Sequence, residues 1–242
     1  MQDDPGARRV NDHTSKKFDL ELENLRTRVL QMGGLVEQQV RKAMEGLSAG
    51  DMPLLETVIR DDNRVNQLEI ELDAACNQVI AKRQPTAIDL RMIITVLKST
   101  SDLERIGDKA RKIARLGTVL HDQHATSIPD VELSHISELS LRMLRASLDA
   151  FARLDVNAAA EVMRLDETVN TEYHALIRQL ITYMMEDPRT ITHSLDIMAI
   201  AKAIERVGDH AKNIAEYVIY MVKGLDVRHS SPDEIEQKIA NN

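Results

Sequence analysis

Aromatic residues are scarce: two Phe, four Tyr and no Trp among 242 residues. Strands favour aromatic and β-branched side chains, so this shortage points to helices with cores of Leu, Ile, Met and Ala. A single cysteine, Cys76, excludes an intrachain disulfide and any multi-cysteine metal site, and fits a reducing compartment. The opening residues, MQDDPGARRV, lack the apolar stretch of a secretory signal. No apolar run approaches the ~18–20 residues that span a bilayer, so the expectation is a soluble, cytoplasmic protein. Basic residues are the minority, 31 against 39 acidic ones, for a formal net charge of −8. Phosphate contacts dominate nucleic-acid affinity, so this balance argues against general nucleic-acid binding. A P-loop, a dinucleotide fingerprint and a Ser/His/Asp arrangement are also missing.

What is present suffices for a core: 43% of residues are hydrophobic and 29% charged. Residues 1–16 are polar, contain Pro5 and Gly6, and read as a disordered tail. From about residue 18 the apolar positions Leu22, Leu25, Val29, Leu35 and Val36 follow a helical period. Gly50 stops this helix, and Asp51 is placed to cap the next, over about 52–83. Pro85 breaks the chain before a third helix over about 87–121, and a polar linker follows. The cycle then restarts, with helices over about 130–153, 157–185 and from after Pro188 to about 223. The end, VRHSSPDEIEQKIANN, reads as a polar tail, loose or marginally helical. The expected fold is therefore all-α: two tandem, internally duplicated three-helix bundles over 17–122 and 130–225, elongated, with a tail over 226–242.

The duplication is explicit. LERIGDKARKIA, starting at Leu103, and IERVGDHAKNIA, starting at Ile204, agree at seven of twelve positions. Each carries a Glu-x-x-x-Asp pair, Glu104 with Asp108 and Glu205 with Asp209. Two like charges at that spacing repel on one helix face, at a cost of roughly 0.2–0.5 kcal/mol. A second repeated motif lies on the preceding helices: Asp62 with Asn66, and Asp166 with Asn170. Reflecting positions through the turns at Pro85 and Pro188 sets Asp62 level with Asp108, and Asn66 with Glu104. The second half aligns in the same way. At 100° per residue, Asp62 and Asp166 fall in or beside the apolar stripes, whereas Glu104, Asp108, Glu205 and Asp209 fall off them. The expectation is an oxygen-rich cluster at a surface groove in each half, suited to a hard or borderline divalent cation. Such a cation converts the repulsion into attraction. The competing reading is a solvated face on which Asp108 pairs with Lys112, and Asp209 with Lys212 or Asn213.

Other signals are weaker. Glu132-Leu-Ser-His135 is an unrepeated match to the Glu-x-x-His of di-iron bundles and reads as chance. Gly107 and Gly208 sit inside the acidic motifs, where glycine costs about 1 kcal/mol relative to alanine. Their expected use is close helix packing or close approach of a ligand. Arg105, Lys109 and Lys112, with Arg111 and Arg115 beside them, form a basic face that is either solvated or suited to an acidic partner. Long stripes rich in Leu and Met make a homodimer plausible. Two alternatives of other classes remain at this stage: a metal-dependent hydrolase, and a purely structural helical scaffold.

The segments IAKRQPTAIDLR, STSDLERIGDKARKIA, YMMEDPRTI and AIERVGDHAKNIAEYVIYMVKG closely resemble the PhoU family of bacterial phosphate-signalling regulators, in order and spacing over about 18–228. The resemblance implies paired three-helix bundles and a cytoplasmic, non-enzymatic negative regulator of the phosphate-starvation response. It implies two partners, the ATPase subunit of the phosphate ABC transporter and a membrane sensor histidine kinase, so that membranes are met only through partners. It further implies restraint of phosphate uptake, and metal at repeated acidic motifs, here Glu104 with Asp108 and Glu205 with Asp209. Asn66 and Asn170 stand where the family's facing motif has a second Asp. Two lost charges weaken the case for multinuclear iron. They point instead to a single Mg, Mn or Zn per half, or to metal bound only at high concentration.

Overall fold

The structure, a computed structural model, describes residues 5–122 and 131–240, with the backbone alone for 5–15 and 122. Seven α-helices and a short 3-10 turn account for nearly all of these residues, with no strand among them. Helix α1 runs Pro5–Ala49, α2 Met52–Arg83, α3 Ala87–Asp122, α4 Ser134–Arg153, α5 Val156–Glu186, α6 Ile191–Lys223 and α7 Pro232–Ala240.

The boundaries follow local chemistry. Asp51 caps α2, its carboxylate accepting from the Leu54 N–H at 3.0 Å. Gln84 ends α2 in the left-handed region, ahead of Pro85. Asp155 caps α5 by accepting from the N–H groups of Asn157 and Ala158, and Gly224 closes α6 at φ +72°. The Pro85 and Pro188 turns make consecutive helices antiparallel neighbours, so each half is a three-helix bundle. At 1.5 Å per residue, helices of 31–36 residues are roughly 45–55 Å long, which makes the molecule elongated.

The core is aliphatic. Leu25, Val29, Met32, Val36 and Val40 line α1, Leu55, Val65 and Leu72 line α2, and Ile93, Leu103, Ile106 and Ile113 line α3. The two halves share a long seam. α3 packs on α6 as extensively as on α1 within its own bundle, and α1 touches α4. At the α1–α4 crossing a Cβ on Gly33 would fall 2.6 Å from Leu148 Cδ2, so any larger residue there would displace the Leu148 side chain. At the α3–α6 seam, buried Asp102 accepts from His210 Nδ1 at 2.7 Å and from Asn213 Nδ2 at 3.2 Å. Cys76 is fully buried on α2, and its thiol is pushed up to about 12, chiefly by burial, leaving it an inert core side chain.

Two segments differ from expectation. The tail expected over 1–16 lies outside the described residues for 1–4, but from Pro5 the backbone is helical and continuous with α1. Pro is tolerated at the first helical position, and Ala7, Arg8, Arg9, Lys16 and Lys17 are all good helix formers. Helix α4 begins at Ser134, not near 130, and residues 123–130 of the expected linker lie outside the described residues. Over 232–240 the polar tail takes the helical one of its two expected forms. Ser231 and Glu234 form a reciprocal capping box, the Ser231 N–H donating to Glu234 and the Glu234 N–H to Ser231 Oγ. That helix, α7, buries Ile235 against α5.

Candidate metal centres

In each half the middle helix presents one buried aspartate to the acidic motif of the third helix. Asp62 on α2 is 2% exposed and Asp166 on α5 is 6% exposed. The register read through the turns therefore holds: Asp62 meets Asp108, and Asp166 meets the level of Asp209. In the first half one side-chain cation joins the carboxylates; in the second each carboxylate has a cation of its own.

In the first half the cation is Arg111, one turn beyond Asp108. Its guanidinium donates Nη1–H to Asp62 Oδ2 and Nη2–H to Asp108 Oδ1. The other Asp62 oxygen, Oδ1, is buried without a partner, as are Asn66 Oδ1 and both amide atoms of Gln39. Gln39 comes from α1 and is 3% exposed. The Gln39 and Asp62 oxygens meet beside Gly107. A Cβ there would lie 3.3 Å from Val65 Cγ1, 3.4 Å from Gln39 Oε1 and 3.5 Å from Asp62 Oδ1. Burial pushes the Asp62 carboxyl up against the pull of Arg111. Burial, then the charges of Asp108, Glu69 and Asp62, push Glu104 up as well. Glu69 rises for the same kind of reason, burial first and then Asp73. The site thus holds carboxylates whose ionisation is disfavoured by desolvation and by one another.

The second half solves the same problem differently. Lys212, in the place of Arg111, donates to Asp166 Oδ2 at 2.8 Å, and Asn170 Nδ2 donates to the same oxygen at 3.3 Å. Burial pulls Lys212 down, but the hydrogen bond and charge of Asp166 outweigh it and leave the amine raised. Glu205 pairs with Lys202, and Asp209 with Arg206 at 3.0 Å. Burial, then Glu205, pushes Asp209 up. Around Gly208 a Cβ would lie 3.3 Å from Met143 Sδ and 3.6 Å from Ser140 Oγ. A thioether and a hydroxyl therefore stand where the first half has an amide.

Several expectations are corrected here. Glu205 lies off the apolar stripe of α6 yet is buried, because α6 is packed by α3, α4 and α5 together. Asp108 pairs with Arg111 rather than Lys112, which is exposed, and Asp209 pairs with Arg206 rather than Lys212 or Asn213. The Glu132/His135 match, read as chance, forms no ligand pair: Glu132 accepts from Ser134, while His135 faces Glu172 at 4.0 Å. Arg105, Lys112 and Arg115 are exposed along α3. Gln39 was not anticipated, although a signal existed: it interrupts the buried run Val36, Val40, Ala43 with an amide at core spacing.

Among the described residues no three His, Cys, Asp or Glu side chains converge closely enough to hold a metal. Arg111, Lys202 and Lys212 neutralise the carboxylates that the motifs bring together. The donor chemistry of the first half nevertheless fits a hard cation. Gln39 and Asp62 offer an amide and a carboxylate oxygen, both buried and unpartnered, beside a position with no Cβ, and Asn66 Oδ1 is a third such oxygen one turn along α2. The second half fits less well, since the Asp166 oxygen is already doubly bonded and a sulfur lines the glycine.

Comparison with known proteins decides the family. The PhoU domain model matches residues 29–117 and again 133–218, one copy per bundle. The chain belongs to the PhoU family. It is 45% identical over 230 residues to the phosphate-specific transport system accessory protein PhoU homolog of Pseudomonas aeruginosa, covering 95% of each chain. It is 44% identical over 231 residues to the phosphate-specific transport system accessory protein PhoU of Escherichia coli, covering 96% of this chain and 95% of that one. Crystal structures agree. PhoU from P. aeruginosa superposes with a TM-score of 0.82 at 46% identity, over 86% of this chain and all of the other. The phosphate transport system regulatory protein PhoU from Streptococcus pneumoniae gives 0.80 at 31% identity, over 87% and 99%. The names of these PhoU relatives are those of accessory and regulatory proteins, and no helix among the described residues is long and apolar enough to cross a membrane.

Proposed function

We propose that the protein is an accessory regulator of phosphate-specific transport that holds the phosphate-starvation response off when phosphate is plentiful. It couples the ATPase subunit of the transporter to a sensor histidine kinase and restrains uptake. The observation that carries this reading is end-to-end similarity at 44–45% identity to proteins named as accessory to that transport system. Its role is non-enzymatic and cytoplasmic. The exposed basic stripe of Arg105, Lys112 and Arg115 supports contact with an acidic partner. Exposed Ile181, Met185, Ile191 and Leu195 around the α5–α6 turn supply apolar surface for a partner or for a homodimer. Divalent cation binding belongs to the same reading. In the first half Asp62, Asn66, Glu104 and Asp108 hold the ion; in the second, Asp166, Asn170, Glu205 and Asp209 are the corresponding set. The unpartnered buried oxygens of Asp62 and Asn66 support it. When bound, the ion supplies positive charge that relieves carboxylate repulsion and ties two helices together.

The test is complementation. Expressed in a bacterium deleted for its own family member, the chain restores repression of a phosphate-regulated promoter in phosphate-rich medium. Constitutive promoter activity despite normal accumulation of the folded protein would contradict the proposal.

A further inference from the structure

We infer that the duplicated sites are chemically unequal: the first bundle binds one hard divalent cation with Gln39 of α1 as a ligand, and Lys212 holds the second site closed. The inference rests on the metal-binding part of the proposed function and deepens it by adding a ligand and a stoichiometry. Three observations carry it. Asp62 turns its two oxygens in different directions, Oδ2 to Arg111 and Oδ1 to the hollow at Gly107, where no donor meets it. Gln39 turns Oε1 to the same hollow from a different helix, and both of its amide atoms are buried and unpartnered. Asn66 Oδ1, one turn along α2 from Asp62, is the third unpartnered oxygen. Such groups are rarely left unmet in a protein interior, so the site is built for something that takes oxygen donors from two helices. A carboxylate with two amide oxygens, and the charges of Glu104 and Asp108 close by, suits Mg or Mn rather than a soft metal.

The second bundle lines the corresponding position differently, with Ser140 Oγ its buried, unpartnered oxygen beside the glycine. Asp166 Oδ2 takes two hydrogen bonds, from Lys212 and Asn170, and Met143 Sδ lies nearest the glycine. An ammonium on the aspartate is a tethered monovalent cation in the place of a free divalent one. Gln39 has no amide counterpart there, only Ser140 Oγ.

The probe is Mn titrated into the full-length, chelator-stripped protein and followed by the loss of the free-ion electron paramagnetic resonance signal. The expected result is one Mn per chain. Gln39→Leu should weaken it at least tenfold with an unchanged circular-dichroism spectrum, and Gln39→Glu, which keeps the oxygen and adds charge, should tighten it. Asp62→Asn should weaken it. Two equivalent sites, or a Gln39→Glu protein that binds as the wild type does, would overturn the inference and leave metal binding standing. No Mn or Mg bound at millimolar concentration would remove the metal reading itself, and the inference with it.

Discussion

The two bundles began as copies, and they differ most where they are most conspicuously alike. Both bring a buried aspartate against a Glu-x-x-x-Asp pair, and both place a cation one turn beyond. In the first, Arg111 spans two carboxylates from outside and leaves the inner oxygen of Asp62 free. In the second, Lys212 is a single point charge on Asp166, with Asn170 helping it. A planar guanidinium can hold two acids at once, whereas an ammonium concentrates on one. The difference extends to the first helix of each bundle, an amide from Gln39 against a thioether and a hydroxyl from Met143 and Ser140. A shared motif thus specifies a shared framework, and the residues packed behind it decide what each copy can do.

The largest effects should come from removing the two cations. Lys212→Ala and Arg111→Ala each strand a buried aspartate. Breaking a fully buried pair costs 3–5 kcal/mol, and since both cations are about one-third exposed, about 1–3 kcal/mol is expected from urea unfolding of metal-free protein. Added Mn should restore more of that stability to Arg111→Ala than to Lys212→Ala. Equal rescue would dissolve the comparison.

The glycines should separate the bundles next. Alanine gains up to about 1 kcal/mol over glycine in a helix. In Gly208→Ala the new methyl meets the flexible end of Met143, so the protein should keep most of that gain. In Gly107→Ala the methyl enters the hollow between Gln39, Asp62 and Val65. Thermal melts should show little net gain there, and Mn binding should be lost.

The smallest effect is electrostatic. Glu104 and Asp209 are raised in the folded state, so each favours folding most when protonated, below the ordinary carboxylate range. That contribution is lost as pH rises through the raised folded value. At neutral pH without metal, Glu104→Gln should therefore stabilise by roughly 0.2–0.5 kcal/mol, the cost of a like-charge pair at this spacing. The gain should disappear at acid pH, and with Mn present it should reverse sign. Denaturant midpoints at two pH values with and without Mn resolve all three.

Much of this framework was legible in the sequence because it rests on local rules. Asp51, Pro85 and Gly224 mark helix ends by backbone chemistry alone, and α2 spans the stretch that they and the apolar period imply. The facing of Asp62 and Asp108 followed from counting residues back from a turn. Other features depend on which surfaces meet. Glu205 is buried because α6 has three neighbours, which no single-helix angle shows. Helix α7 is too short to be stable alone; its capping box was readable, but the burial of Ile235 on α5 is tertiary. Gln39 joins the site from a helix outside both repeated motifs. Only its place among Val36, Val40 and Ala43 hints at an inward amide, and nothing in the chain order says which acids it faces.

Anomalous diffraction at the manganese edge, from crystals grown with Mn, tests the account most directly. It predicts one peak per chain, among α1, α2 and α3, within ligand distance of Gln39 Oε1 and Asp62 Oδ1. Peaks of equal height in both bundles, or a single peak beside Asp166, would contradict it.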